Sequence, residues 1–315
     1  MAPDDKKSHS LQAGGHPDIV QIDPDDQTKI FKQACPREVD FYENFADRLD
    51  STKAPASWSG WRPAFYGRRI VDGTHTDGTF IVLQNLVPTL IDSASTVGFR
   101  HPNILDIKLG KQLYDDDASE EKVARMKQAA ADTTSAHFGI RLTGGKVWNN
   151  QTQEYETLPK AFGKSLDPLG SNLDAGFSRF FPIAAPAGKS LQETRYSKQL
   201  TISSGGISPG LMRKLLEQVL LPQFNRLSSY VSGLEWRVYG SSLLVVYEGD
   251  NDALERAFED GSVSNGPSVG VVKMIDFAHT WEAQGSDTGL LAGFQTTSNL
   301  LQGLLDAISK FEEST

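Results

Sequence analysis

Ten residues, His101-Pro-Asn-Ile-Leu-Asp-Ile-Lys-Leu-Gly110, set an acid and a cation two positions apart inside an otherwise apolar run. Side chains alternate across a strand, so Leu105, Ile107 and Leu109 fall on one face and Ile104, Asp106 and Lys108 on the other. The first face belongs in a core, which leaves Asp106 and Lys108 pointing the same way on the second. A comparable apolar run, Val-Gly-Val-Val-Lys-Met-Ile-Asp-Phe-Ala-His-Thr at 269–280, delivers Asp276 at its end. A carboxylate in that position can be held toward a bound ion. Together the two segments read as a phosphoryl-transfer site.

A chain of 315 residues, 38% of them hydrophobic, can bury a sizeable core in one two-lobed unit. The net charge of -9 argues against broad contact with nucleic acid, whose phosphate backbone is met by a basic face. A small polyanion needs only a local basic pocket, and Lys108, Lys111, Lys122, Arg125, Lys127, Arg141 and Lys146 supply one within a short stretch. Cys35 is the only cysteine, so no intrachain disulfide forms and a reducing compartment is expected. The six histidines show no zinc spacing. The N-terminus lacks the apolar core of a signal peptide, and the apolar runs are strand-length, so a soluble intracellular protein without a membrane span is expected.

Along the chain, residues 1–11 read as a disordered tail and the polar stretch Asp23 to Thr28 as a turn before a strand at Ile30 to Gln33. Apolar residues at 39, 41, 42, 45, 46 and 49 predict one helix over 37–49. Thr79 to Leu83 reads as a buried strand leading into Gln84-Asn85-Leu86. Ser119 predicts an N-cap, with Glu120 and Glu121 in the first turn of the helix that follows. Lys122 and Arg125 share one face of it, and Val123, Met126 and Ala130 form a separate apolar stripe. Gly144-Gly145 suggests a hairpin turn between two strands. Residues 149–199 read as irregular structure pinned by Phe162, Phe177, Phe180 and Phe181. Ser208-Pro209 starts a helix, 249–268 reads as a mobile hairpin connection, and a terminal helix is expected over 297–312. The order of elements predicts an α+β protein, and there is no P-loop.

The first segment fits P-x-x-x-D-x-K-x-G through Pro102, Asp106, Lys108 and Gly110, and so resembles the signature of the inositol polyphosphate kinase family. Gly-Ser-Ser-Leu-Leu-Val-Val-Tyr-Glu at 240–248 is similar to that family's S-S-L-L strand, and Met-Ile-Asp-Phe-Ala-His at 274–279 to its I-D-F element. The matches run from about Gln12 to near the C-terminus and follow the family's order. Residues 106–115 and 125–135 look most like fungal inositol polyphosphate multikinases; 117–122 also resemble inositol hexakisphosphate kinases. The resemblance implies a two-lobed fold akin to protein kinases and ATP-grasp enzymes, with antiparallel sheets. It divides the chain into a nucleotide-binding N-lobe at 12–86 and a catalytic C-lobe at 87–315, the latter holding an inositol-phosphate-binding helical segment at 111–137.

The resemblance also implies roles. Asp106 orients or deprotonates the accepting hydroxyl, and Lys108 contacts that hydroxyl and the migrating phosphoryl group. Lys32, with Lys29 as its rival, meets the nucleotide phosphates. Gln84, Asn85 and Leu86 form the adenine hinge, with the side chain of Asn85 near the ribose; the family's usual hinge is acidic. Ser242, ahead of Ser241, meets metal-bound phosphate, and Asp276 is the magnesium ligand. Lys122, Arg125 and His279 bind the inositol phosphate. Each has an ordinary reading as well: an exposed Asp-Lys pair, strand lysines and serines, a turn aspartate, a solvated charge run, a structural histidine. The run Asp115-Asp116-Asp117 reads as a solvated loop without a metal. The implied chemistry is transfer from ATP with Mg²⁺ to inositol trisphosphate and tetrakisphosphate. Alternatives are pyrophosphate synthesis on the hexakisphosphate, or a non-catalytic scaffold in a transcription complex. The resemblance further implies transcription-regulator proteins as partners and adds the nucleus to the cytoplasm as a place of residence; a monomer is expected.

Overall fold

The computed structural model describes residues 19–52, 59–70, 79–89, 98–185, 199–261 and 269–314. The expected 1–11 tail lies outside them. Strands β1 (Val20–Ile22) and β2 (Lys29–Gln33) flank the polar turn, where the Asp23 and Asp26 carboxylates accept the backbone N–H groups of Asp25 and Thr28. Pro36 opens α1 (Pro36–Asp40), as its fixed φ favours at a first helical position. The run continues through a π-helical turn, Phe41–Phe45, into α2 (Ala46–Thr52). The single helix expected over 37–49 is therefore interrupted, and the wider turn lets Phe41, Tyr42 and Phe45 all be buried. With β3 (Phe65–Ile70) and β4 (Thr79–Gln84) these strands form an antiparallel four-stranded sheet, ordered β1-β2-β4-β3.

The remaining elements are β5 (Pro102–Leu109), α3 (Glu120–Ala131), α4 (Ser135–Phe138), β6 (Ile140–Asn149), β7 (Glu154–Leu158), α5 (Lys160–Lys164) and α6 (Leu173–Ser178). They continue with β8 (Ile183–Ala184), β9 (Ile202–Ser203), α7 (Pro209–Leu215), a second π-helical turn at Leu216–Leu220, α8 (Leu221–Ser232), β10 (Trp236–Val238) and β11 (Ser242–Glu248). Last come α9 (Asn251–Glu259), β12 (Gly270–Ile275), β13 (Thr280–Glu282) and α10 (Thr288–Glu313). An antiparallel five-stranded sheet runs β12-β11-β5-β6-β7, which puts the D-x-K strand at its centre. The short strands β8 and β9 pair in parallel. Leu105, Ile107 and Leu109 are fully buried in one cluster with Leu290, Phe294, Leu301 and Ile308 of α10, as the alternation requires. Each such side chain contributes about 1.5–3 kcal/mol by leaving water.

Ser119 and Ser208 cap α3 and α7 as expected, accepting from Lys122 N and Leu211 N. Three other expectations are corrected. Gly144-Gly145 makes no hairpin: β6 is continuous, and its register against β5 shifts between Asp106 and Ile107. A Cβ on Gly145 would lie 2.0 Å from Ile104 O, so the glycines serve a bulge and a close strand approach. The stretch 249–268 contains α9, capped by Asp250 and anchored by buried Leu254; its residues 262–268 fall outside the described part. Finally, α10 starts nine residues before the expected 297, at Thr288, on an Asp287 cap. The early turns carry Gly289 and Gly293, weak helix formers used here for contact.

That contact is demanding. Gly139, with φ of 66°, ends α4, and a Cβ on it would lie 2.7 Å from Gly293 N. We expect Gly139→Ala to cost about 2 kcal/mol or more through backbone strain and overpacking. A reduced midpoint in urea unfolding checks it; an unchanged midpoint would mean the two backbones can part freely.

Candidate active site

Register places the first group of side chains. Ser242 lies opposite Lys108 on β11, Arg141 lies opposite Lys108 on β6, and Asp106 lies opposite Leu244. Directly paired residues share a face, so Asp106, Lys108, Ser242 and Arg141 converge on the side away from α10. Lys108 Nζ donates to Gly240 O at 2.8 Å. Burial pushes its pKa down, against the opposing pull of Asp276 and Asp106. Asp106 is 8% exposed, and its Oδ1 has no hydrogen-bond partner. Burial, and then the charge of Asp276, push its carboxyl up to about 6, although Ser242, Lys108 and Arg141 act the other way.

Asp276 leaves β12 with φ of 65°, a region that a side chain occupies only when its surroundings enforce it. Its neighbour Phe277 does the enforcing, stacked on Phe41 at 4.2 Å and edge-on to Trp61. Lys32 Nζ reaches across from β2 to Asp276 Oδ1 at 2.7 Å and to Glu38 Oε1 at 2.6 Å. Glu38 also accepts from Phe277 N, so α1, β2 and the I-D-F turn are tied at one carboxylate. Burial would discharge Lys32, but Asp276 and Glu38 outweigh it and hold the ammonium well above its usual range. Lys29, the rival, pairs with Asp26 at 2.8 Å in the β1–β2 turn and is outside this group.

A cavity of about 670 Å³ opens among these groups. Lys32, Lys108, Asp276 and His279 line it, which brings four expected residues together. Met126 and Ala129 of α3 also line it, with Thr133 just past that helix, and so do Lys160 and Lys164 of α5 and Arg141 of β6. Lys122 and Arg125 are absent from the lining. They occupy the first two turns of α3, whereas the cavity meets its later turns; Lys122 is drawn to Asp115 at 3.7 Å and Arg125 is exposed. Met126, expected in a packing stripe, faces the cavity instead.

Asp115 overturns its reading as a solvated residue. It is buried, with Oδ1 2.9 Å from His279 Nδ1 and Oδ2 within 3.7 Å of both Arg37 and Lys122. The hinge side chains have partners that the sequence does not disclose. Asn85 Nδ2 donates to Gln27 O and its Oδ1 accepts from Val87 N, so the side chain staples the β1–β2 turn and is already engaged. Gln84 Oε1 accepts from Ala64 N and from Lys273 Nζ, each at 3.4 Å. Lys273 is pushed down to about 8 by burial, with Arg62 adding to the effect. Leu86 joins Phe99, Ile104, Leu244, Val246 and Val271 in a small apolar cluster separate from the main core. Sequence reading counted Arg141 in a local basic pocket but singled out none of Glu38, Lys160, Lys164 and Lys273. None of those four lay in a basic run that could have flagged it.

The family description "inositol polyphosphate kinase" matches residues 90–303, about two thirds of the chain. The chain belongs to the inositol polyphosphate kinase family. It is 30% identical over 235 residues to mouse inositol hexakisphosphate kinase 3, covering 71% of this chain and 50% of that protein. The chain thus spans about half the length of the hexakisphosphate kinases it matches. It is 26% identical to the inositol polyphosphate multikinase of Saccharomyces cerevisiae, covering 90% of this chain and 92% of that one. For the Schizosaccharomyces pombe multikinase the identity is 27%, with coverage of 95% and 98%. Among solved structures, S. cerevisiae inositol phosphate multikinase Ipk2 in complex with ADP and Mn²⁺ superposes with a TM-score of 0.63. That pair is 26% identical and covers 88% of this chain and 99% of the other. Two lobes and antiparallel sheets are therefore the architecture of this inositol polyphosphate kinase family member. No helix among its described residues is long and apolar enough to cross a membrane.

Proposed function

We propose that this protein transfers the γ-phosphoryl group of ATP, with Mg²⁺, to hydroxyls of inositol trisphosphate and tetrakisphosphate, giving the pentakisphosphate. The observation that carries the reading is the convergence of Lys32, Asp276 and Lys108 on one cavity lined by five lysines and arginines against two aspartates, with Asp106 on the strand face that Lys108 shares. Adenine fits the apolar cluster of Leu86, Ile104, Leu244 and Val246, beside the backbone of the hinge. From there the phosphates would extend toward Lys32. The Asp276 carboxylate, half exposed and held by its backbone, fits a magnesium ion, with the Ser242 hydroxyl nearby; one carboxylate plus phosphate oxygens is a donor set this ion accepts. Bound there, the ion would neutralise charge on the transferring group.

Lys32 stays charged because two carboxylates flank it, and so offers a fixed cation to the phosphates. Lys108 supplies a second cation on the acceptor side, steadied by Gly240 O. Asp106, on the same strand face as Lys108 and poorly solvated, is a stronger proton acceptor than an ordinary aspartate yet largely ionised at neutral pH. Little covalent work is left to the protein beyond in-line positioning and charge neutralisation.

The test is incubation of the purified chain with Mg-ATP and separate inositol tris-, tetrakis-, pentakis- and hexakisphosphates, with products resolved by anion exchange. We expect stepwise conversion of the first two to the pentakisphosphate. Pyrophosphates from the hexakisphosphate alone would transfer the chain to the other subfamily, and no turnover would leave a scaffold. The similarity to both yeast multikinases across at least 90% of this chain, against 71% for the mouse hexakisphosphate kinase, supports the first outcome.

A further inference from the structure

Asp115 lies in the loop between β5 and α3, buried beside exposed Asp116 and Asp117, and phosphoryl transfer as proposed gives it no role. A carboxylate leaves water only where partners replace its hydration. Its Oδ2 faces two cations, Arg37 at 3.6 Å and Lys122 at 3.7 Å. Its Oδ1 lies 2.9 Å from His279 Nδ1. Both of those atoms are buried, and neither makes a hydrogen bond to any other group among the described residues. Each is the counterpart the other needs.

The imidazole is placed by its neighbours. Nδ1 is buried, yet the side chain is 43% exposed and lines the cavity, so the opposite edge of the ring is the one open to a ligand. A Cβ on Gly240 would lie 3.9 Å from His279 Cδ2 and 3.6 Å from Lys108 Nζ, which brings imidazole and ammonium onto one glycine. The Gly240 carbonyl holds that ammonium at 2.8 Å. His279 O in turn accepts from Tyr239 N, next to Gly240 in the chain.

A neutral imidazole carries one N–H, and the partner of one nitrogen decides which of the two holds it. Arg37 and Lys122 already balance the Asp115 carboxylate, so what its Oδ1 lacks is an N–H and not another charge. We propose that Asp115 is a positioning residue: it accepts the Nδ1 proton of neutral His279 and so fixes the ring with Nε2, as a hydrogen-bond acceptor, toward a hydroxyl of the bound inositol. The ligand in this proposal rests on the inositol phosphate kinase reading; the Asp115–His279 pair does not. A ring hydroxyl can donate to Nε2 and an ionised phosphate oxygen cannot. The pair therefore favours an inositol that presents a free hydroxyl there.

The test uses the full chain and Asp115→Asn. Arg37 and Lys122 donate on the Oδ2 side, so the amide should turn its oxygen to them and its NH₂ to Nδ1, which moves the imidazole proton to Nε2. Arg37 keeps Asp117 at 2.7 Å and Lys122 is part-exposed, so the melting temperature should hold. Long-range proton–nitrogen NMR of histidine-labelled protein, with His279→Ala assigning the signal, should show the Nδ1–H form in wild type and the Nε2–H form in Asp115→Asn. The substitution should also raise KM for inositol trisphosphate about tenfold with KM for ATP unchanged, and by less than about twofold when added to His279→Ala. A wild-type ring protonated on Nε2 or on both nitrogens overturns the proposal, as does an unchanged ring in Asp115→Asn. So does a KM effect that persists in full without His279, which is what loop support alone would give. A wild-type chain that transfers no phosphate sinks the kinase reading, while the spectra still decide the pair.

Discussion

Asp276→Asn is expected to lower kcat for phosphoryl transfer by about three orders of magnitude or more while leaving the protein folded. Asp276 lines the cavity in contact with Lys32, and a neutral amide would hold neither a magnesium ion nor Lys32 as well. Asparagine is the informative substitution because it tolerates the left-handed backbone at φ 65°, where alanine would add strain. Lys32 keeps Glu38 as a partner, so no buried charge is orphaned and the fold should survive. The measurement is product formation at saturating Mg-ATP, alongside thermal unfolding. A folded variant within tenfold of wild-type kcat would end the assignment of Asp276 to the metal, and with it the geometry proposed for transfer.

The parts of this site that could be read from sequence are those fixed by local periodicity. Alternation in β5 dictates that Leu105, Ile107 and Leu109 enter the core and that Asp106 and Lys108 share the other face, and the structure has them so. The end of β12 likewise carries Asp276 outward. What escaped depends on contacts between distant segments. Glu38 matters because it lies within 2.6 Å of Lys32, and Arg141 because β6 pairs with β5 in one register. Lys160 and Lys164 reach the cavity only because Gly163 lets α5 sit on β6. The acidic run at 115–117 looked solvated because three adjacent charges normally are; Arg37, Lys122 and His279, from three separate parts of the chain, surround its first member. For Asn85, the position in a hinge motif does not disclose that Gln27 and Val87 engage its side chain.

Asp106→Asn should separate activity from stability, lowering kcat by about two to four orders of magnitude while making the chain harder to unfold at neutral pH. The folded-state carboxyl is raised from 3.8 to about 6, so the native protein binds that proton more tightly than the unfolded chain does. The stabilisation this provides is complete below 3.8 and is lost as pH rises through about 6, which means that ionised Asp106 is a cost under working conditions. A shift of that size corresponds to at most about 3 kcal/mol. Unfolding in urea with EDTA present, so that no metal screens the pair with Asp276, should show the variant more stable than wild type above the upper pKa. The difference should vanish in acid, where both side chains are neutral. If the variant were instead less stable at neutral pH, Asp106 would be a net structural anchor for Lys108 and Arg141. Its charge would then not be the strained, poorly solvated group that a proton acceptor in this position requires.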